Sequence, residues 1–333
     1  MKWNKRKLLL TACIGLLCIS GCSRSKEQTE ETPSQNLLAP FTGEQVTEVL
    51  DNRPVVVTMN NHPLARPQSG LAEADQVYEF LAEGNVTRFA AVFQSEMPDQ
   101  IGPVRSARDY FVHFAEGMDA FFIAHGYSPD AKKLLDDRVV DHVNGMQYDG
   151  SLFERSSDRK APHNSYISKQ HIEEAFEKTN AVKKIIKTPP FSFLKPEESD
   201  KIGDIASTVT VAYSSDPKFV STYRYDEEMN RYYRSVNSID TVDKLNERRV
   251  ELSNVLVMEM NHQIIDQQGR LAIDLQSGGK AILFHEGITR EIEWENRDGF
   301  LLPVEQDLPV SLTVGQTWIH IVPSLSSTVT YIP

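Results

Sequence analysis

Residues able to bind or move charge collect in the first half of this chain. They are Asn60, Asn61 and His62; Arg66; Glu79 and Glu83; Arg88; Arg105, Arg108 and Asp109; His125; and Arg159, His163 and Asn164. Several stand where apolar strand-like runs stop, and loop ends beyond packed strands are where sites are commonly built. The densest piece is Ile101-Gly-Pro-Val-Arg105-Ser-Ala-Arg108-Asp109. With Arg105 and Arg108 at the start of a helix, their spacing puts both on one face beside free amide donors, which suits a phosphate or carboxylate. The candidate ligand-binding set is therefore Asn60, Asn61, Arg66, Glu83, Arg88, Arg105, Arg108, Asp109, His125 and His163. A purely structural account competes with it. Arg105 and Asp109 have the i,i+4 spacing of a helix-surface pair, and Arg66 and Arg88 could satisfy Glu79 or Glu83 inside the fold. His125, before Gly126 at a strand end, could be a packed core histidine, whereas His163 falls in a loop.

No Walker A loop, dinucleotide glycine fingerprint, G-x-S-x-G elbow or H-E-x-x-H motif is present. The nine histidines are scattered, without the close pairing on one helix that a chelating metal site wants. The expectation is no metal, no nicotinamide or flavin cofactor, and no assignable catalytic residue.

At 333 residues, 40% hydrophobic and 25% charged, the chain reads as a folded protein of roughly two domains. A net charge of −12 argues against a nucleic-acid binder. Lys2, Lys5, Arg6 and Lys7 precede an apolar run, Leu8–Ile19, too short and wrongly flanked for a stable membrane span. The run ends in Ile19-Ser20-Gly21-Cys22, which resembles the lipobox of bacterial lipoproteins. That resemblance implies cleavage before Cys22, acylation of its thiol and a lipid anchor on the extracytoplasmic face of the cell membrane. Cleavage would lower Lys+Arg from 35 to 31 against 47 Asp+Glu, leaving a net charge of −16. Cys13 and Cys18 would leave with the signal, so no thiol remains for a disulfide or a thiolate site.

The elements that must position the candidates are those of an α+β protein. Residues 1–21 read as the signal and 22–50 as a disordered tether, its first part rich in Ser, Thr, Glu and Gln. Residues 51–188 read as a mixed α/β domain, 189–203 as a proline-rich linker, and 204–333 as a β-rich domain. Strands are expected at 54–59, 76–81, 87–93 and 120–124, the second and third forming a hairpin about Glu83-Gly84-Asn85. Helices are expected over Ser106–Glu116 with Gly117 as its C-cap, after Ser128-Pro129-Asp130, and over Lys169–Thr179. Beyond residue 204 the apolar period becomes two, as in Phe219, Ser221, Tyr223 and Tyr225.

Ala65-Arg66-Pro67-Gln68-Ser69-Gly70-Leu71, Glu83-Gly84-Asn85-Val86-Thr87-Arg88-Phe89, Ile101-Gly-Pro-Val-Arg105-Ser-Ala-Arg108 and Ala161-Pro162-His163-Asn164 resemble motifs of the YerB-like lipoproteins of Gram-positive bacteria. So do Arg53-Pro-Val, Asn60-Asn61, His125-Gly126, Gly269-Arg270 and Gly315-Gln316-Thr317-Trp318-Ile319. The resemblance covers nearly all of the mature chain and implies a two-domain envelope lipoprotein of unassigned activity, with no catalytic residues to carry over. Val104-Arg105-Ser-Ala-Arg108-Asp109 is more loosely similar to the LytR–CpsA–Psr phosphotransferases, a fold-level analogy. The preferred reading is a binding or scaffold lipoprotein of cell-wall assembly. Its groove would take an anionic envelope glycan or lipid-linked precursor, or a cell-wall synthesis protein would be its partner. The alternative is a metal-assisted phosphotransferase or hydrolase on phosphorylated glycopolymers, with Asp109 or Glu83 as base. A solute-binding role for a transporter ranks last, because the halves do not read as two similar α/β lobes.

Overall fold

The computed structural model describes residues 37–195, 198 and 202–333; the signal segment, Cys22 and the start of the tether lie outside the described residues. In the first half β1 (Val55–Asn60), β2 (Gln76–Glu83), β3 (Val86–Phe93) and β4 (Gln100–Ile101) precede α1 (Asp109–Gly117), β5 (Phe121–Ala124) and α2 (Pro129–Asp136). Then come β6 (His142–Asn144), α3 (Gly145–Tyr148), β7 (Phe153–Arg155), β8 (Ser165–Ser168) and α4 (Lys169–Thr179). The second half is nearly all strand. It begins with β9 (Asp204–Ile205), β10 (Thr208–Ala212), β11 (Val220–Asp226), β12 (Arg231–Val236), β13 (Ile239–Asp240), β14 (Glu251–Leu252) and β15 (Asn254–Glu259). It continues through β16 (His262–Ile264), β17 (Leu271–Ile273), β18 (Gly279–His285), β19 (Ile288–Arg297), β20 (Phe300–Glu305), β21 (Leu308–Pro309) and β22 (Thr317–Val322), ending with α5 (Leu325–Thr328) and β23 (Val329–Ile332). This is the α+β class expected from the residue periods.

Both halves build one twelve-stranded sheet, ordered β21-β20-β19-β18-β15-β22-β2-β3-β1-β5-β6 with β9 beside β19. The joint is β22, which runs parallel to β15 on one side and to β2 on the other. On β2 the period of two sends Tyr78 and Phe80 to one face, where α1 packs Tyr110, Phe111 and Phe114 against them. Val77 and Glu79 face the other way. That side is covered by the sheet β13-β12-β11-β10-β23, whose Val209, Val211, Tyr223 and Tyr232 pack with Val255, Val257 and Trp318. Because both faces are covered, β1 and β22 are buried at every position and show no polar alternation.

Local chemistry explains the helix boundaries. Ser128 caps α2 by accepting from the Ala131 N–H, with Pro129 in the first turn, and Ser168 caps α4 by accepting from the His171 N–H. The helix expected over Ser106–Glu116 starts only at Asp109. Upstream, the chain is held extended by the strand ends: the Arg105 N–H donates to the Thr58 carbonyl (2.8 Å), and the Arg105 carbonyl accepts from the His125 N–H (2.9 Å). Arg105 and Arg108 therefore share no helical face. Gly117 is the last helical residue and Met118 the cap. A Cβ at Gly117 would lie 2.6 Å from the Gly299 carbonyl oxygen, so close backbone approach explains that glycine. Residues 39–44, expected to belong to the tether, are packed against the fold. Phe41 is buried, its ring 5.8 Å from that of Phe191, and the Ala39 N–H donates to the Glu44 carbonyl.

Candidate functional site

The structure sorts the ten candidate residues into four places. Glu83, Arg88 and Arg108 form the first. Glu83 accepts from Arg88 (2.8 Å) and contacts Arg108, while Arg88 also donates to the Ser106 carbonyl (2.6 Å). Burial brings the Arg88 guanidinium down to about 10. This triad is closed on itself and pins β3 to the segment before α1, as the structural account of Arg88 and Glu83 anticipated. Asp109 lies elsewhere, in the first turn of α1, lining a cleft of about 880 Å³ between α1, the β17 segment and the β19–β20 turn.

Asn61 and Arg66 belong to a third place, the edge of a buried network centred on Glu79. Its Oε1 accepts from Asn61 Nδ2 (3.0 Å) and Thr87 Oγ1 (2.7 Å), and its Oε2 from Arg234 Nη2 (3.2 Å) and Trp318 Nε1 (3.0 Å). Glu79 and Arg234 are each 2% exposed. Arg234 further donates to the Tyr223 hydroxyl, Thr241 and Ser221 and lies 4.5 Å from the Trp318 ring centroid. Burial pushes the Glu79 carboxyl up, but the attraction of Arg234, with the bonds from Thr87 and Trp318, holds it below its ordinary value. Burial, with Arg234 nearby, brings His320 down to about 4. Its 3.7 Å approach to Glu79 is thus that of a neutral imidazole, held between the Tyr213 and Tyr223 hydroxyls (3.1 and 2.6 Å).

Asn60, Arg105, His125 and His163 are brought together at the fourth place, with His62, Arg155 and Arg159. It lies at the carboxyl ends of the parallel strands β1, β5 and β6, the usual side for ligands in such sheets. Asn60 Oδ1 accepts from the His62 N–H (3.0 Å), which orients the amide so that Nδ2 donates to His163 Nδ1 (2.9 Å). The His62 and His163 rings stack, with centroids 4.6 Å apart, and His62 Nδ1 accepts from the Leu64 N–H. His125 Nε2 accepts from Arg155 (2.9 Å), so its Nδ1 carries the proton toward Ser165 Oγ (2.7 Å). All three rings are therefore held neutral by donors aimed at a ring nitrogen. Burial is the first cause lowering each of them, and the charge of Arg105 is a further cause shared by all three.

Two glycines make room for this cluster. Gly126 has φ of +98° and a Cβ there would lie 2.5 Å from Ser106 Oγ; a Cβ on Gly145 would strike the His125 ring at 2.1 Å. Asn144, at the end of β6, both accepts from the Gly126 N–H and donates to its carbonyl, fixing the turn that carries His125.

Arg105 itself has no side-chain hydrogen bond or ion pair among the described residues, and its Nε is buried without a partner. Burial, then the repulsion of Arg88, brings it down to about 10. Among the described residues Arg159 has only neutral acceptors, the Tyr166 hydroxyl and the Pro67 carbonyl (2.6 Å each). Asp149, bound to Arg155, is the one carboxylate among the described residues paired with a cation of this group. Among the described residues no cluster of three or more His, Cys, Asp or Glu side chains could hold a metal ion. Reasoning from sequence passed over Arg234, His320 and Tyr223, whose significance lies in pairing with residues far away in the chain.

Two family models match the chain, "Protein of unknown function (DUF3048) N-terminal domain" over residues 41–182 and its C-terminal counterpart over residues 209–319. The chain is 42% identical over 318 residues to the "Putative lipoprotein YerB" of Bacillus subtilis (strain 168), covering 95% of this chain and 94% of that protein. It is also similar to the crystal structure of YerB protein from Bacillus subtilis, with a TM-score of 0.81 and 42% identity, covering 88% of this chain and 99% of that one.

Proposed function

The chain belongs to the DUF3048 family of YerB-like lipoproteins, and on that premise we propose that it is anchored outside the cell membrane through diacylglycerol on Cys22 and binds an anionic envelope ligand at Arg105. The lipoprotein relative supports the anchor. One observation carries the ligand: a guanidinium with no carboxylate and no side-chain hydrogen bond among the described residues, beside three neutral histidines at the carboxyl ends of the parallel strands β1, β5 and β6. Keeping an unpaired cation half-buried beside Arg88 is unfavourable in the empty protein, and a phosphate or carboxylate relieves that directly. Once the anion offsets the surrounding positive charge, His62, His125 and His163 can each take up a proton in exchange for the bond that the ring nitrogen accepts from Leu64, Arg155 or Asn60. Binding therefore tightens as pH falls through the ordinary histidine range. In the cell the ligand would be an anionic glycan or lipid-linked precursor, and the protein a binding or scaffold component of wall assembly.

The experiment is titration of the mature chain, carrying Cys22→Ser, with inorganic pyrophosphate and with anionic muropeptide at pH 6 and pH 8. Binding of the muropeptide, whose carboxylates stay ionised across this range, is expected to be stronger at pH 6. Arg105→Gln should weaken it about tenfold or more, since a charge-assisted hydrogen bond contributes ~1.5–3 kcal/mol. Absence of saturable binding in both proteins, or equal affinity in both, refutes the assignment.

A further inference from the structure

A cavity of about 410 Å³ opens between the Pro63–Pro67 segment and the β12–β13 edge of the second sheet, separate from the Arg105 cluster. Val236, Ile239 and Val242 give it apolar wall, and Ile239 is 70% exposed in the empty protein. Arg66 and Arg234 also line it. Their electrostatic situations differ: Arg234 is neutralised by the buried Glu79, whereas Arg66 touches no carboxylate among the described residues.

The donor count for Arg66 is informative. Its Nε donates to Asn61 Oδ1 (3.0 Å), Nη2 to the Asn61 carbonyl (2.8 Å) and Nη1 to the Lys218 carbonyl (3.0 Å). All three acceptors are neutral. A guanidinium carries five N–H donors, so one hydrogen on each terminal nitrogen remains unspent. The side chain is held in place by those three bonds, which lowers the entropy lost when it engages a ligand. Burial and the nearby Arg234 charge disfavour its cation in the empty state and outweigh the attraction of Glu79, bringing it down to about 10. At the rim, the exposed Lys218 and Asp240 carry opposite charges, so Arg66 is the cation of the cavity with no carboxylate in contact among the described residues.

We propose that this cavity binds a small amphipathic carboxylate, with its acid group on the free hydrogens of Arg66 and its apolar body against Ile239, Val236 and Val242. The volume lies toward the lower end of ligand pockets, about 300–1,000 Å³, which suits a short acyl or branched body rather than a long lipid tail. Covering Ile239 removes apolar surface from water, and the carboxylate supplies the partner that Arg66 lacks. Such an acid could be free or could be the C-terminal carboxylate of a short apolar peptide.

The test titrates the mature chain carrying Cys22→Ser with hexanoate, hexanamide and acetate, and with N-acetyl-Leu-Leu as free acid and as amide. Hexanoate or the peptide acid should bind saturably, with the matched amide and acetate about tenfold weaker or worse. Tighter binding of the peptide acid assigns a peptide terminus; tighter binding of hexanoate assigns a free acid. Ile239→Glu, a change at an exposed position, should abolish binding by repulsion without affecting the fold. Arg66→Gln should weaken it about tenfold, and Arg105→Gln should leave it unchanged. Equal binding of acid and amide, no saturable binding of any acid, insensitivity to Ile239→Glu, or loss through Arg105→Gln alone overturns the proposal. Because the Arg105 variant separates the two sites, either can fail without the other.

Discussion

Replacing Glu79 by Gln tests the account of the buried network most directly. The side chain keeps its shape but loses its charge, and one acceptor oxygen becomes an NH2 donor. Four donors now converge on the carboxylate, from Asn61, Thr87, Arg234 and Trp318. A Gln oxygen can serve one pair of them, leaving its own amide facing the other pair. Whichever way the amide turns, Arg234 stays 2% exposed with no counter-charge. Removing one member of a buried ion pair destabilises by about 3–5 kcal/mol, because a buried charge is left uncompensated. For a protein of this size that corresponds to a fall in Tm of roughly 5–8 °C, readable by differential scanning calorimetry alongside urea denaturation. The double variant Glu79→Gln with Arg234→Met should recover part of the loss, since it removes both the orphaned charge and its desolvation penalty. A single-variant loss below about 1 kcal/mol, the range of exposed pairs, would show that the pair is hydrated and refute the reasoning.

Three further perturbations follow from the same geometry. His320 titrates near 4 in the folded protein against an ordinary 6.5, so its contribution is complete above pH 6.5 and is lost as pH falls toward 4. Urea titrations across that window should show a decline of about 3 kcal/mol from this residue, and His320→Gln should flatten the slope; an unchanged slope counts against the assignment. Gly145→Ala drives a methyl into the His125 ring, so NMR should show the His125 pKa moving up as it leaves Arg155, with pyrophosphate binding weakened together with it; an unmoved resonance would contradict the packing. Cys22→Ala should abolish incorporation of labelled fatty acid in a Gram-positive host and move the protein from membrane to medium, and continued labelling would exclude Cys22 as the attachment point.

How much could be read in advance depended on how far apart the interacting residues lie. The helix over Lys169–Thr179 matches its expected span, and the strand expected at 87–93 lies within β3 (Val86–Phe93), because capping chemistry and the apolar period are local signals. Ser128-Pro129 likewise announces α2. The phase of the segment before α1 was not legible: its helical reading assumed free backbone donors, and the ends of β1 and β5 occupy them. Asn60 and His163 were both singled out, but their bond spans 103 residues and nothing local encodes it. The Glu79 network was less accessible still. Arg234 lies 155 residues away and Trp318 239, and the contact exists because β22 inserts parallel to β2. Arg88 and Glu83, five residues apart across one hairpin, were within reach of local reasoning.

The step from β1 into the following loop shows how one short segment serves two chemistries. Asn60 and Asn61 are consecutive, and their side chains reach separate partners: Asn60 holds His62 and His163 beside Arg105, and Asn61 holds Glu79 and Arg66. One asparagine thus helps build an edge where cations outnumber carboxylates, and the next anchors that edge to a pair buried between the two sheets. The difference in burial determines what each place can do. Inside, the Arg234 charge is already matched by Glu79, so any added anion would have to displace a carboxylate bonded four times over. At the edge, among the described residues, Arg105 has no such competitor, and Arg66 has only neutral acceptors. In a chain with 47 acidic residues against 35 basic ones, an arginine left without a carboxylate is not explained by a shortage of acids. Each such position holds positive potential inside a predominantly negative molecule, and anions capable of fitting there are selected by shape as well as by charge.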